Sequence, residues 1–471
     1  MEIETELEAA LPEGAMVPSA RIEQRYFGDW IHQAQDAHPV ALALPRTTAH
    51  VATILRLCHA RRVSVVAQGG RTGLAGGAVP STGCVILSTE RMRSIERPDP
   101  ASATIVAEAG AVLEAVQRAA DAENLLFPLD IGGRGTCTIG GNISTNAGGN
   151  RVLRYGMMRD LVLGLEAVLA DGTVLTSMNA MQKNNTGYDL KQLFIGTEGT
   201  LGVVTRAVLR LFPRPSTRQT ALCAVPDYGH VLQLLVAAKR RLGADLAAFE
   251  VMWPEFYRLA TDVGGLRAPL ARGQGVYVLV ESLGSDPVRD DLRFQEFVES
   301  VLADGSITDA VVAQSSRDCE DIWRIRDSSG EFPRTFWPYV GFDVSIPVRE
   351  IGRFIDECTG RLAARWPAVQ TVWFGHVADS NIHIGVRGPD PLPESEVDAI
   401  VYDCVGEYAG SISAEHGIGT LKRAFLDKSR TAEELAAMRL IKRALDPANI
   451  LNPGKILMQL TSAPTASEGA E

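Results

Sequence analysis

An α+β fold in two parts is what this sequence predicts, and three observations predict it. Strand and helix signals alternate as far as about residue 213. There the segment Phe212-Pro-Arg-Pro-Ser-Thr217, with its two prolines, reads as a linker. Beyond it, amphipathic helices near 229–241 and 286–303 flank the apolar strand Gly275-Val-Tyr-Val-Leu-Val-Glu281.

Taken in order, the elements follow from local signals. A helix opens near Thr48, with Val51, Ile54, Leu55 and Cys58 spaced for one face. The strand Val63-Ser-Val-Val-Ala67 runs into a first glycine block, Gln68-Gly-Gly-Arg-Thr-Gly-Leu-Ala-Gly-Gly77. A second block is Thr138-Ile-Gly-Gly-Asn-Ile-Ser-Thr-Asn-Ala-Gly-Gly149, and Asp171-Gly172 between apolar runs makes a hairpin turn. Later come a strand at Gly341-Phe-Asp-Val-Ser-Ile346 and a helix opening at Pro347. Thr371-Val-Trp-Phe374 and His383-Ile-Gly-Val386 read as strand pieces joined by the turn formers Ala378-Asp-Ser-Asn381. Thr431-x-x-Glu434 is a capping-box start for a helix that stops before Pro447. The expected parts are 1–215 (core from about 45), 216–420, a helical segment 421–460 and a small, polar, disordered tail 461–471.

Composition narrows the class. Apolar residues make up 46% and charged residues 22%, ordinary for a soluble globular enzyme. A formal charge of −11 with no basic stripe argues against a nucleic-acid partner. Seven scattered cysteines, none in C-x-x-C, suit reduced thiols better than a disulfide framework. The acidic N-terminus lacks a signal-peptide layout, and no run of ~18 apolar residues predicts a membrane span. A cytoplasmic protein is expected, with peripheral membrane attachment or an organelle matrix also compatible.

The glycine blocks carry the first chemistry. Glycine lets backbone N–H groups approach an anion closely, so two such runs beside strands suggest a cradle for a diphosphate-containing dinucleotide. Glu90 sits at the offset of a ribose-binding acid, but Gly69-Gly70-Arg71-Thr72-Gly73 lacks the G-x-G-x-x-G order of the Rossmann turn. A plain glycine-rich surface turn is the alternative for the first block alone; two blocks argue against it.

Three of eight histidines fall in Gly375-His-Val-Ala-Asp-Ser-Asn-Ile-His383 and Ala414-Glu-His-Gly417. His376 and His383 should face one another across the strand turn, and Glu415 could complete a His₂Glu set around a divalent metal. Separate hydrogen-bonded core histidines are the competing reading. Arg326, in Asp321-Ile-Trp-Arg-Ile-Arg-Asp327, is either a carboxylate clamp or a surface partner of Asp321 or Glu320.

Longer motifs add a resemblance. The run from Phe127 to Gly156, with Val168-Leu-Ala-Asp-Gly-Thr-Val174, Asn185-Thr-Gly-Tyr-Asp-Leu-Lys-Gln-Leu-Phe194 and Gly196-Thr-Glu-Gly-Thr-Leu-Gly202, resembles the flavin-binding domain of the vanillyl-alcohol oxidase and p-cresol methylhydroxylase superfamily. Within it the chain is most similar, from about Pro45 to Lys455, to D-2-hydroxyacid dehydrogenases such as those of D-2-hydroxyglutarate and D-lactate. The resemblance implies a two-part FAD-binding domain, an α+β cap with an antiparallel sheet, and a C-terminal segment, including Asn452-Pro-Gly-Lys455, that returns to the FAD domain. It implies non-covalent FAD, because no histidine or cysteine falls at an evident linkage position. Gln68, Gly69, Gly70, Arg71, Thr72, Gly73 and Leu74 are expected at the diphosphate. Thr138, Ile139, Gly140, Gly141, Asn146, Gly148 and Gly149 are expected on the flavin side, and Gly199 and Val204 at the adenine half or ring edge. Pro128, Cys137, Ser144, Tyr155, Glu198 and Asn452 complete the expected cofactor-binding set, Cys137 as a small packing residue.

The same resemblance covers the second site. The histidine segment is similar to a G-H-x-G-D-G-N-x-H element, with Ala378 and Ser380 in place of two glycines, and Glu415-His416-Gly417 matches an E-H-G element. It implies that His376, His383 and Glu415 bind a divalent metal, expected to be Zn²⁺, that His416 is the base, and that Arg326 binds substrate. A D-2-hydroxyacid would be oxidised to the 2-oxoacid, its hydride passing to flavin N5. The electron acceptor would be a quinone, an electron-transfer flavoprotein or a cytochrome, and a homodimer is compatible. Three polar substrate contacts of hydroxyglutarate-type relatives are replaced here by Gly330, Gly341 and Gly385. Phe336 and Trp337 lie close enough to line the enlarged pocket, and Arg334 could substitute for the missing lysine. The expectation is a substrate with a less polar side chain, with D-2-hydroxyglutarate as the alternative. Rival readings are an oxygen-using oxidase, a metal-dependent hydrolase without flavin chemistry, and a non-catalytic FAD subunit.

Overall fold

The structure is a computed structural model that describes residues 2–458. The tail expected at 461–471, and the last two residues of the expected C-terminal segment, lie outside them. The α+β architecture is observed. Its first sheet has the strand order Met16–Pro18, Ala41–Ala43, Val85–Ser88, Val65–Gln68, the first pairing antiparallel and the other two parallel. Helix Thr48–Arg61, capped by the Thr47 side chain, buries Val51, Ile54, Leu55 and Cys58 as its spacing predicts. An antiparallel second sheet orders Thr104–Glu108, Val203–Arg210, Val162–Val168 and Val174–Ser177. Its last two strands turn at Asp171-Gly172, where Gly172 takes φ +87°. Ile139 and Ile143 of the short helix Ile139–Ser144 sit in the core beneath this sheet, which fixes the second glycine block.

The expected linker is more ordered than its prolines suggest. Phe212–Pro213 pairs antiparallel with Leu125–Leu126, and Thr217 already opens a nine-residue strand, Thr217–Val225. Proline is tolerated in so short a pairing because few ladder donors are required of it.

That strand belongs to a seven-stranded antiparallel sheet ordered Asp309–Val312, Thr217–Val225, Val276–Gly284, Leu246–Met252, Gln370–Gly375, Asn381–Arg387, Val340–Ser345. Alternate residues of its central strands serve two cores, one on each face. Ala221, Cys223, Val276, Val278 and Val280 join one core with Phe294, Phe297 and Phe354 from helices Pro287–Ala303 and Ile351–Arg365. Leu222, Ala224, Tyr277 and Leu279 join the other, with Phe256, Ile322, Trp323 and Phe332. The helix expected at Pro347 starts at Ile351 after a single 3₁₀ turn, Val348–Glu350.

Helix Ala432–Leu445 carries the full capping box between Thr431 and Glu434. The chain then returns to the first sheet: Val65 N–H donates to Ile450 O at 2.7 Å and Asn452 N–H to Val65 O at 2.8 Å. The strand that delivers the first glycine block is thereby bordered by the C-terminal segment.

Candidate active site

The two glycine blocks touch. A Cβ at Gly69 would lie 2.4 Å from Thr138 Oγ1, and one at Gly70 would lie 2.3 Å from Thr136 O. Thr138 Oγ1 also faces Gly141 and is buried with no hydrogen-bond partner. Gln68 donates from Nε2 to Tyr26 O and Ala78 O, both at 2.8 Å, while its Oε1 is buried without a partner. A side-chain-free backbone surface edged by unpaired buried polar atoms fits a phosphate-bearing cofactor. Glu90 instead accepts from the Tyr26 hydroxyl at 2.8 Å and lies 3.7 Å from Arg71, away from any ribose role.

Other expected cofactor residues divide. Asn146, at φ +50°, accepts the Arg159 N–H at 2.9 Å, and Ser144 O accepts the Glu198 N–H at 2.7 Å, so both shape the loop around the block. Pro128 and Cys137 are buried, and burial pushes the Cys137 thiol up to about 11, consistent with packing. The side chains of Tyr155, Val204, Glu198 and Asn452 are engaged within the protein. Tyr155 packs edge-on against Phe212 at 4.8 Å and clusters with Ala247 and Leu283, so its ring joins the flavin part to the cap. Val204 turns its side chain into the sheet core. Glu198 accepts the amide N–H groups of Ile418 and Gly419 at 2.7 and 2.9 Å, and its own carbonyl accepts from Asn452 Nδ2. Glu198 and Asn452 therefore lock loops together; their motifs resemble cofactor elements, but buried main-chain groups take up the side chains.

The histidine motifs fold as expected. Strand Gln370–Gly375 ends in the 3₁₀ turn Val377–Asp379, and strand Asn381–Arg387 returns beside it. Ser380 adopts φ +77° in place of a glycine, so the turn is kept. The His376 and His383 rings are 5.5 Å apart, and one ligand atom each from His376, His383 and Glu415 lie within 4.8 Å of one another. His376 Nδ1 donates to Glu250 Oε1 at 2.7 Å, which leaves Nε2 as the nitrogen facing Glu415, 3.9 Å away. A carboxylate behind a histidine, orienting its free nitrogen, is the usual support of a metal ligand. Burial pushes the Glu415 carboxyl up to about 7, with nearby Asp343 adding to the effect against His376. Burial likewise lowers His383 well below the ordinary histidine value. A divalent cation held by the buried Glu415 carboxylate and the imidazoles of His376 and His383 would offset that cost, so the donor set fits the ion.

His416 adjoins Glu415, and its Nδ1 lies 3.8 Å from Asp343 Oδ2. Burial holds the imidazole below its ordinary value despite that carboxylate, leaving it neutral. Arg326 ends helix Ser316–Arg326 and is buried. It pairs with neither Asp321 nor Glu320: its Nε donates to Glu250 Oε2 at 2.9 Å and its Nη2 to His376 Nε2 at 2.8 Å. The decisive neighbouring observation joins the two halves of the site. A Cβ on Gly148, in the second glycine block, would lie 3.3 Å from Glu415 Oε1.

Aromatic side chains of the cap core pack beside His383. Phe336 rests on Gly385, 3.1 Å from where a Cβ would stand, with its ring tilted against those of Phe332 and Tyr339; Phe374 lies over His383 at 4.8 Å. Gly330 faces open space. Trp337 is 64% exposed, and Arg334 points outward to Glu331 at 3.0 Å, so Arg334 does not stand in for a buried lysine. Glu250, Asp343 and Lys422 were not singled out by sequence reasoning. The signal was present, since Glu250 interrupts an otherwise apolar, wholly buried strand and Asp343 stands between the buried apolar residues Phe342 and Val344.

Residues 39–177 match the family described as FAD binding domain, and 214–456 match FAD linked oxidases, C-terminal domain. The chain belongs to the FAD-linked D-2-hydroxyacid dehydrogenase family. D-2-hydroxyglutarate dehydrogenase of Xanthomonas citri pv. viticola is 38% identical over 462 residues, covering 95% of this chain and 96% of that one. The mitochondrial D-2-hydroxyglutarate dehydrogenase of Bos taurus is 41% identical over 433 residues, covering 91% of this chain and 78% of that protein. Among solved structures, p-cresol methylhydroxylase shares the fold with a TM-score of 0.78 at 16% identity, over 98% of this chain and 97% of that one. This member of the family is an FAD-linked oxidoreductase. Among its described residues no helix is long and apolar enough to cross a membrane.

Proposed function

We propose that the protein oxidises a D-2-hydroxyacid to the 2-oxoacid, with FAD in the glycine cradle and a divalent cation, expected to be Zn²⁺, on His376, His383 and Glu415. The observation that supports this reading is the closeness of Gly148, in the second glycine block, to Glu415 Oε1. What the two groups supply when bound is an acceptor for the hydride leaving Cα and Lewis acidity at the hydroxyl that becomes the carbonyl. His416, neutral and beside the trio, takes the hydroxyl proton at its imidazole. Arg326 orients the substrate carboxylate through guanidinium N–H groups. Its Nη2 is held at His376 Nε2; once that lone pair serves a cation, the same N–H is free to turn to the substrate. Glu250 keeps both side chains in register, and the aromatic side chains beside His383 exclude water.

The relatives' names support D-2-hydroxyglutarate as the substrate. A second reading, a less polar side chain, is favoured by Gly330, Gly341 and Gly385 together with Phe332 and Phe336, because these positions offer a distal carboxylate no polar side chain. An unmet charged partner costs about 1–3 kcal/mol. Reduction of the FAD- and zinc-loaded enzyme by D-2-hydroxyglutarate, D-lactate and D-phenyllactate tests both. A kcat/KM at least ~10-fold higher for the diacid supports the first reading and removes the second, and the reverse order removes the first. Failure of every D-2-hydroxyacid to reduce the flavin would refute the function itself.

A further inference from the structure

His416 belongs to no helix or strand; it lies in an irregular loop between the cap and the flavin part. Two buried carboxylates hold that loop from opposite sides. Asp343, on the edge strand of the cap sheet, accepts the consecutive N–H groups of Glu415 and His416 at 2.8 and 3.0 Å. Its other oxygen accepts from Asn381 Nδ2 at 2.7 Å, and His383 stands opposite it in the strand pairing. Glu198, in the flavin part, accepts the next consecutive pair, Ile418 and Gly419. Gly417 lies between the two pairs at φ +80°, and a Cβ on it would come 2.7 Å from Glu198 Oε1.

The Glu198 side is tied to the cofactor cradle. A Cβ on Gly77 would lie 3.2 Å from Glu198 Oε2, and one on Gly76 would lie 2.3 Å from Thr420 Oγ1. Thr420 N–H donates to Ala75 O at 2.9 Å, so the loop rests directly on the first glycine block.

We propose that Asp343 and Glu198 are paired positioning residues that suspend the His416 loop between cap and flavin part, setting the base relative to metal trio and cradle together. Four charge-assisted bonds on four amides leave the loop little torsional freedom. A displacement of order 1 Å at a reacting group costs on the order of 100-fold in rate. The assignment of His416 as base rests on the function proposed above; the holding of the loop does not.

The test uses the full chain loaded with FAD and zinc, as wild type, Glu198→Gln and Gly417→Ala. Glutamine keeps one acceptor and loses the other; the methyl of Gly417→Ala pushes the loop off an intact carboxylate, so the two variants disturb the same contact from opposite sides. Both should keep stoichiometric flavin absorbance. Amide hydrogen exchange over 414–420 should quicken ~10-fold or more. Flavin reduction at saturating D-2-hydroxyacid should slow ~100-fold, while the half-saturating concentration moves less than ~3-fold. Unchanged exchange in both variants overturns the suspension. Faster exchange with an unchanged reduction rate per bound flavin overturns the positioning role. If no D-2-hydroxyacid reduces even the wild type, the function fails while the exchange result still decides the suspension.

Discussion

Glu250 is the residue on which most of the site's order depends. It is buried within strand Leu246–Met252, and burial works against its charge. His376 and Arg326 outweigh burial and hold its carboxyl down at about 2. Removing it leaves a buried guanidinium and a misdirected imidazole, so Glu250→Ala should lose roughly 3–5 kcal/mol of stability, read by denaturant unfolding. His416→Gln is a contrasting case. Among the described residues no hydrogen bond ties its ring to the fold, so flavin and zinc content should stay at wild-type levels while flavin reduction slows by ~10²–10⁴-fold in stopped flow. Thr138 gives a third expectation. Its Oγ1 has no partner within the protein, so Thr138→Val should leave thermal stability without FAD unchanged or raised, since an unpaired buried hydroxyl costs about 1–3 kcal/mol. The same change should weaken FAD retention in a dilution assay; tighter retention would exclude the hydroxyl as a cofactor contact.

At the scale of elements, what the sequence makes legible is whatever short-range chemistry decides. Helix Thr48–Arg61, the Asp171-Gly172 hairpin and the Thr431 capping box follow from spacing and capping, and all stand where their residues place them. The strand-turn-strand that faces His376 toward His383 is likewise local. Long-range partners are not legible in this way. Glu250 lies 126 residues from His376, and nothing near either names the other. Glu198 sits in a motif that reads as cofactor-binding, yet its partners are 220 residues away in the His416 loop. Tyr155 ends a flavin-like run but belongs to the inter-domain cluster, a destination only the packed cap reveals. Two glycines of the cap yield a direct expectation. Gly330 faces open space, so Gly330→Thr should fold normally, with a melting temperature within ~2 °C of wild type. Gly385→Asn must displace Phe336, and should lower the melting temperature through overpacking of about 1–3 kcal/mol.

Over the whole molecule, the C-terminal segment closes the structure. Lys455 donates to Gly77 O and Val79 O beside Glu198, fastening this segment to the first glycine block. Burial drives its ammonium down to about 8, against the pull of Cys84, Glu198 and Asp29. The folded state therefore releases this proton before the unfolded chain does. Stability attributable to Lys455 should rise between about pH 8 and 10.5, where only the unfolded state keeps the proton. Lys455→Met should flatten that rise in denaturant midpoints measured across the same range; an unchanged slope would exclude Lys455 as its source. The central claim is that one cavity serves both the flavin cradle and the ligand trio. It is tested most directly by anaerobic bleaching of the bound flavin with D- and L-2-hydroxyacids, before chelation, after chelator treatment that leaves FAD in place, and after zinc is restored. The account predicts bleaching by the D-isomer alone, lost on chelation and recovered with zinc. Equally fast bleaching of the metal-stripped enzyme, or bleaching only by the L-isomer, would contradict it.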